Sequence, residues 1–390
     1  MATIEKRGKS YRITASCGYT VKGEQERQRI TWTPEPGMTE RQIEKELNRQ
    51  AVLFEEECKR GLVLQHGIKF EAFLKQYFDD YAAQNLRIRT ITEYRRMSLR
   101  ANQQFGHLQM DKITPTQIQK FVRVLLNGDA KNKAVTPKTA KNYLSFLSSV
   151  FSFAIQMRIM RDNPCRAIKI KLGEKPEADC YSLEEAQHFL DLMLKEPLSF
   201  QAFFVLAIYG GFRRGELCGL EWKDIDFNTG VVSIRRTSQY TKEKGTFTDT
   251  TKTKKSQRSL KMPPEVIMIL RWYRAEQTEE RLLLGDRWVD HDRLFITWNG
   301  EPISPNVPYK WLLHFCERTG IRKAKRLLHS LRHLNASLLI TSGVDVKTVS
   351  SALGHSQVST TTNIYAHTFQ QVQAEASEAI ATALPLKSHA

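Results

Sequence analysis

At 390 residues the chain is longer than one ordinary hydrophobic core supports, and two or three domains are expected. Its apolar content of 41% is that of a globular protein, so disorder is excluded as the default state. With 59 Lys and Arg against 42 Asp and Glu, the net charge of +17 calls for a polyanionic partner. No stretch approaches the roughly 18 apolar residues of a membrane span, and no apolar signal core follows "MATIEKRGKSYR". Nucleic acid is therefore favoured over membrane, and a cytoplasmic location is expected. The six cysteines show neither a C-x-x-C pair nor a metal-ligand spacing, which predicts reduced thiols, no disulfide and no zinc.

In chain order, "KSYRITASCGY" alternates Tyr11, Ile13 and Ala15 with polar neighbours, and "ERQRITWTP" does the same with Gln28, Ile30 and Trp32. Both patterns predict strands, joined across the turn residues of "VKGEQ". "GMTERQIEKELNRQAVLF" then opens a helix with a capping box, Thr39 and Gln42, and carries Ile43, Leu47, Ala51, Phe54 and Cys58 at helical spacing. Residues 1–30 hold seven basic and three acidic side chains, while 31–62 hold five and seven, so the strands are the face to offer a phosphate backbone. A solvated sheet face explains that segment equally well.

From 67 to 175 the periodicity is helical throughout, in "FEAFLKQYFDDYAAQ", "TITEYRRMSLRANQQF", "TPTQIQKFVRVLLNG" and "TPKTAKNYLSFLSSVFSFAIQM". Two of these start with Thr-Pro, a helix-start signal. Residues 67–176 hold 20 basic and 8 acidic side chains, most of the chain's excess, which predicts a DNA-facing helical domain. "NPCRAIKIKLGEKPEAD" lacks periodicity and reads as a basic linker. Beyond 180 a mixed domain is expected. A helix capped by Ser182 and Glu185 comes first, then a buried helix in "FQAFFVLAIYGGF". The strands "GVVSIRRTS" and "SQRSLKMP" flank the lysine-rich loop "TKEKGTFTDTTKTKK", and three further helices follow "HDRLFITWNG". No internal repeat is evident.

Several polar residues stand in apolar surroundings. Arg213 and Glu216 are three apart in "GGFRRGELCGLEW", either a structural ion pair or an anion site. His329 and Arg332 are three apart in "HSLRH", hence on one helix face, which a solvated helix end would also explain. Lys252 lies in "TKTKKSQR", which would equally suit a solvated hairpin tip. Tyr365 and His355 lie ten apart in "LGHSQVSTTTNIYAH", and a tyrosine with an unperturbed pKa of about 10 is by itself a poor nucleophile. As a set they have a chemistry. Two arginines can fork onto one phosphate, histidines can donate to it or move a proton, and a lysine can protonate a leaving oxygen. The sequence offers no carboxylate cluster for a two-metal mechanism and no G-x-x-x-x-G-K-[ST] cradle, so neither metal nor cofactor is expected. Transesterification of a phosphodiester through tyrosine conserves bond energy and needs no ATP.

The four blocks "GGFRRGEL", "TKTKKSQRSL", "HSLRH" and "LGHSQVSTTTNIYAH", in this order, resemble the tyrosine recombinases, or phage-type integrases, over roughly residues 68–369. The resemblance implies that Arg213 and Arg332 clamp the phosphate and that Glu216 supports Arg213. It implies Lys252 as general acid, with Lys254 and Lys255 close in register. His329 would be base or phosphate donor, His355 a second phosphate donor, Tyr365 the nucleophile, and His333 a packing residue. It implies a mainly α multidomain fold with β structure. Residues 1–66 would be a small sheet-plus-helix module for arm sites, 67–175 a helical core-site domain with its linker, and 176–390 a mixed α/β, mostly helical, catalytic domain. The tail "FQQVQAEASEAIATAL" would carry an apolar stripe from Phe369 through Val372, Ala376 and Ile380 to Ala383, docking on a neighbouring protomer. Implied partners are double-stranded DNA at core and arm sites, three further copies in a homotetramer, and a host bending protein or excision factor. The rivals are a type IB topoisomerase and a DNA-binding regulator without catalysis.

Overall fold

The computed structural model describes residues 2–19, 23, 25–59, 67–173, 179–250, 257–366, 368–370 and 383. It comprises two compact units, Met1–Glu174 and Lys175–Ala390. Among the described residues no helix is long and apolar enough to cross a membrane.

The first unit begins with an antiparallel sheet in the order β1 (Thr3–Arg7), β2 (Ser10–Tyr19), β3 (Gln25–Trp32), followed by α1 (Glu40–Lys59). Alternation sorts the sheet's two faces. Ile13 and Ala15 are buried against Leu47, Ala51, Phe54 and Cys58 of α1, the helical stripe expected from the sequence. The opposite face pairs Arg12 with Glu5 and Thr31, Thr14 with Arg29, and Ser16 with Arg27, so it presents arginines in register. The helix start is also as expected: Thr39 N–H donates to Gln42 Oε1 at 2.8 Å and Gln42 N–H to Thr39 Oγ1 at 3.4 Å. Strand β1 is an addition to the sequence reading. "TIEKR" has a single large apolar residue, and charged side chains suit an edge strand that must not recruit a further one.

The same unit then runs through α2 (Phe70–Gln76), a π-helical turn at Tyr77–Ala82, α3 (Ala83–Asn85), α4 (Ile88–Phe105), α5 (Pro115–Asn127) and α6 (Pro137–Gln156). Both Thr-Pro pairs start helices: Thr114 closes a capping box with Gln117, and the Thr136 hydroxyl accepts from Thr139 N–H. Phe70, Phe105, Phe121, Phe146 and Phe151 fill a core of their own. Asn163 closes the end of that core. Its amide donates to the Ser148 carbonyl at 2.9 Å and to the Ser148 and Ser152 hydroxyls at 3.0 Å, while its oxygen accepts from Cys165 N–H at 3.0 Å.

The second unit contains α7 (Leu183–Met193), α8 (Leu198–Tyr209), α9 (Arg214–Leu217), β4 (Ile225–Asp226), β5 (Val231–Ile234), β6 (Arg236–Thr241), β7 (Gly245–Thr250) and β8 (Arg258–Lys261). It continues with α10 (Pro264–Leu284), α11 (Asn306–Thr319), α12 (Leu327–Thr341), α13 (Val346–Leu353) and α14 (Val358–Ile364). The Ser182–Glu185 capping box is present, and α8 is buried from Ala202 to Ile208. Three features differ from the sequence reading. Part of the lysine-rich loop is strand β7, paired with β6 through Thr241 opposite Gly245. Helix α10 is an addition; exposed Met268, Trp272, Leu282 and Leu283 blur the stripe formed by its buried Val266, Ile267, Ile269, Leu270 and Tyr273. Among the described residues four helices rather than three follow residue 300, because the glycine at 354 separates α13 from α14. The proposed tail stripe from Val372 onward lies outside the described residues except for Ala383.

Asn163→Ala is expected to destabilise the helical core by about 1–3 kcal/mol, since it strips buried groups of a shared partner. Native-state hydrogen exchange of the α6 amides checks this. Exchange should accelerate roughly 5- to 150-fold, and unchanged exchange would deny Asn163 that role.

Candidate active site

Helix α12 is buried on almost every side, which is why its polar residues are informative. Arg332 is only 2% exposed, yet among the described residues its hydrogen bonds go to backbone rather than to a carboxylate: Nη1 donates to the Gly211 carbonyl and Nη2 to the Leu353 carbonyl, both at 2.6 Å. Burial, and then the charge of Arg213, work against its charged form. A guanidinium so placed is stabilised by an anion. The Gly211 carbonyl is available because that residue has φ +56°, and a Cβ there would stand 2.5 Å from Asn335 Oδ1. Asn335 is held in turn by donating to the carbonyls of Ile208 and Tyr209 at 2.8 and 3.0 Å.

Arg332 shares its acceptor helix end with two more arginines. Arg258 Nε donates to the Ala352 carbonyl at 2.7 Å, Arg332 to Leu353, and Arg213 Nη2 to the Gly354 carbonyl at 3.2 Å. Three successive carbonyls at the C-terminus of α13 thus each take one guanidinium, at the end where a helix carries negative partial charge. Glu216 ties two of them together. Its Oε1 accepts from Arg213 Nη1 at 2.8 Å and its Oε2 from Arg258 Nη2 and Arg213 N–H at 2.9 Å. Burial alone would raise this carboxyl, but the Arg258 hydrogen bond and the two arginine charges outweigh it and hold it below its ordinary value.

The histidines and the tyrosine occupy the other side of this helix end. His355 directly follows Gly354, and its Nδ1 lies 2.8 Å from the hydroxyl of buried Thr361, which fixes the ring. Tyr365 follows α14 and packs against Ala336, Ile340, Val349 and Leu353. It is 1% exposed, and its hydroxyl lies 2.7 Å from His333 Nδ1. His329 stands edge-on to His333 with ring centroids 4.6 Å apart. Burial, reinforced by neighbouring arginines, pushes His333 and His355 down to about 4, so both are neutral at pH 7, and His329, more exposed, is shifted in the same direction by partial burial and by His333. Burial also raises the Tyr365 phenol, while Arg332 pulls it the other way.

Arg213 and Arg332 thus meet at the end of α13 with Glu216 holding the first, His355 directly follows that end, and His329 and Tyr365 both contact His333, the residue next to Arg332. Lys252, with Lys254 and Lys255, lies outside the described residues. The sequence reading missed two partners and understated a third. Arg258 lies within "TKTKKSQRSL" and carries no local signal, since its partners Glu216 and the Ala352 carbonyl are far along the chain. Thr361 sat unremarked in a run of threonines. His333, assigned to packing, instead hydrogen-bonds the tyrosine hydroxyl.

Comparisons with known proteins agree on one family. Residues 182–371 match the phage integrase family, and residues 69–126 match the phage integrase N-terminal SAM-like domain. A XerC-like tyrosine recombinase of Caldanaerobacter subterraneus subsp. tengcongensis is 31% identical over 72% of this chain and 73% of its own length. The ICEBs1 integrase of Bacillus subtilis is 29% identical over 68% of this chain and 70% of its own. Among solved structures, the Tn1549 transposon integrase in complex with transposon right end DNA superposes with a TM-score of 0.63 at 21% identity, covering 78% of this chain and 97% of that one. The chain belongs to the tyrosine recombinase, or phage integrase, family, and is an enzyme that breaks and rejoins DNA strands.

Proposed function

We propose that this enzyme is an integrase that inserts and excises a mobile element at specific sites through a 3′-phosphotyrosine intermediate. The observation that carries the reading is the convergence of Arg213 and Arg332 on one helix end beside the buried Tyr365 hydroxyl. Arg213 and Arg332 hold the scissile phosphate by their guanidinium forks, and Glu216 fixes the first of them. Tyr365 attacks phosphorus. Lys252 protonates the departing 5′ oxygen, and His329 and His355, neutral at pH 7, donate to the phosphate oxygens. The mobile-element reading is supported by likeness to the Bacillus subtilis integrase and to a transposon integrase.

The division of labour along the chain follows charge. The arginine-bearing face of the β1–β3 sheet, within residues 1–66, binds distal arm sites. The helical region 67–175, with its 20 basic side chains, grips the core site, and 176–390 performs the chemistry. Four protomers assemble on two DNA duplexes, with a host bending protein or an excision factor biasing the direction.

Tyr365→Phe removes one oxygen and little volume. Binding to a core half-site should survive, while the covalent protein–DNA band from a nicked suicide duplex should vanish on a denaturing gel. A persistent band would move the nucleophile elsewhere. Strand exchange between two full sites, rather than relaxation of supercoils alone, separates recombinase from topoisomerase.

Lys252→Ala should slow cleavage of ordinary DNA by on the order of 10²–10⁴. A substrate with sulfur at the 5′ bridging position leaves without a proton, so it should rescue this variant far more than Arg213→Ala. Equal rescue of both would reject the role.

Deleting residues 1–66 should abolish arm-site binding while leaving the salt dependence of core binding intact, at a log–log slope of about −0.9 per phosphate contact. Filter binding or fluorescence anisotropy over a salt series measures both. Loss of core binding on this truncation would overturn the assignment.

A further inference from the structure

A phenol that bonds to phosphorus must lose its proton on the way. Unassisted, Tyr365 holds that proton tightly, because burial raises the phenol above a value already near 10. The group placed to receive it is His333, whose Nδ1 stands 2.7 Å from the hydroxyl. That is the length of a good O–H···N hydrogen bond with the imidazole accepting. We propose that His333 is a catalytic residue, its Nδ1 taking the Tyr365 proton as the phenol oxygen bonds to phosphorus and returning it when the strands are rejoined. The proposal rests on Tyr365 as nucleophile.

The step balances. The O–H bond of Tyr365 breaks, the bond from Oη to phosphorus forms, and the bond from phosphorus to the 5′ oxygen breaks. His333 carries the tyrosine proton as an imidazolium, and the 5′ oxygen takes a separate proton from Lys252. On rejoining, the 5′ hydroxyl gives its proton back to that lysine and His333 returns its own to Oη.

The surroundings fit a base that is inactive until DNA arrives. On its own helix His333 has His329 edge-on and Arg332 beside it, with Arg326 at the helix start. From other elements Tyr365 and His355 face it, and Cys180, ahead of α7, bears on Tyr365. Burial and the arginines keep His333 neutral, so its lone pair is available at pH 7. The same arginines oppose the imidazolium. A phosphodiester held by Arg213 and Arg332 offsets part of their charge, and the base strengthens as its substrate binds. His329, whose ring only abuts His333, is left to serve the phosphate.

The test uses the full chain and a nicked core half-site carrying sulfur at the 5′ bridging position, so that no acid is needed and attack alone is measured. Single-turnover adduct formation is followed from pH 6 to 9. The native rate should be nearly flat, because His333 is neutral throughout. His333→Asn places an amide oxygen near the Nδ1 position, so it keeps the hydrogen bond but cannot take the proton. It should be slower by on the order of 10²–10⁴ at pH 7 and recover about tenfold per pH unit as hydroxide replaces the base. His333→Gln, with its amide near the Nε2 position, should be at least as slow. A native rate in His333→Asn overturns the proposal. So does a loss that is the same at every pH, which would mean positioning only, and so does a gain, which would mean the contact restrains the tyrosine. If neither variant binds the half-site, the native profile decides: a flat profile supports the base, and a tenfold rise per unit overturns it. Tyr365→Phe in the same assay reports separately on the nucleophile, since only failure of that assignment leaves its adduct in place.

Discussion

The C-terminal end of α13 is the feature on which the rest of the site depends. The carbonyls of Ala352, Leu353 and Gly354 receive Arg258, Arg332 and Arg213 in turn. Three guanidinium groups this close repel one another. Glu216 supplies one full negative charge and the helix end roughly half of another, which leaves about +1.5 in the cluster. That remainder suits a phosphodiester, whose single negative charge has two free oxygens for two forked donors. The arrangement also explains why Glu216 must stay ionised while 2% exposed: protonating it would release the restraint on both Arg213 and Arg258.

Geometry at this helix end is set by the backbone. Gly354 has φ +64°, the left-handed conformation that ends a helix, and a Cβ there would stand 2.8 Å from Arg258 Nη1. The turn does two things at once. It exposes the last carbonyls to the arginines, and it swings His355 out of the helix axis to where Thr361 can hold its ring. Gly211 performs the matching service on the other side, presenting its carbonyl to Arg332 where any side chain would meet Asn335. To the arginines, residues 211, 352, 353 and 354 offer only backbone oxygens, so that service rests on conformation rather than side-chain chemistry.

That distinction marks the limit of what the sequence disclosed. The amphipathic helices, both Thr-Pro starts, the Ser182 and Thr39 caps and the strand pattern of Ile13 and Ala15 were legible, because each is a local rule read within a few residues. The polar residues of the site were legible for another reason: Arg213, Glu216 and Arg332 interrupt apolar runs that have no other use for charge. Arg258 was not, because its partners are 42 and 94 residues away and nothing local distinguishes it from the basic residues before it. Nor was the role of His333. A histidine one position past Arg332 turns to a different side of the helix, where packing is the ordinary expectation. Only the return of the chain through α14 brings a hydroxyl to it. Strand β1 and helix α10 were hidden by the converse effect, charge on an edge strand and apolar residues on an exposed helix face.

One short segment, 346–365, carries three of the arginine-binding carbonyls, His355, Thr361 and Tyr365, and its Val349, Leu353 and Tyr365 pack with Ala336 and Ile340 of α12. Tyr365 and three of the carbonyls that hold the arginines therefore belong to one short stretch of chain, while Arg213, Arg258 and Arg332 reach it from elsewhere in the sequence. Burial keeps the Tyr365 phenol neutral and the histidines uncharged, and the same burial leaves Arg332 short of countercharge. These are one response to one low-dielectric setting, in which every charged form is disfavoured, and an anion bound between the arginines would relieve the cationic members of the set. It offsets the strained arginine charge and makes a histidine imidazolium cheaper to form.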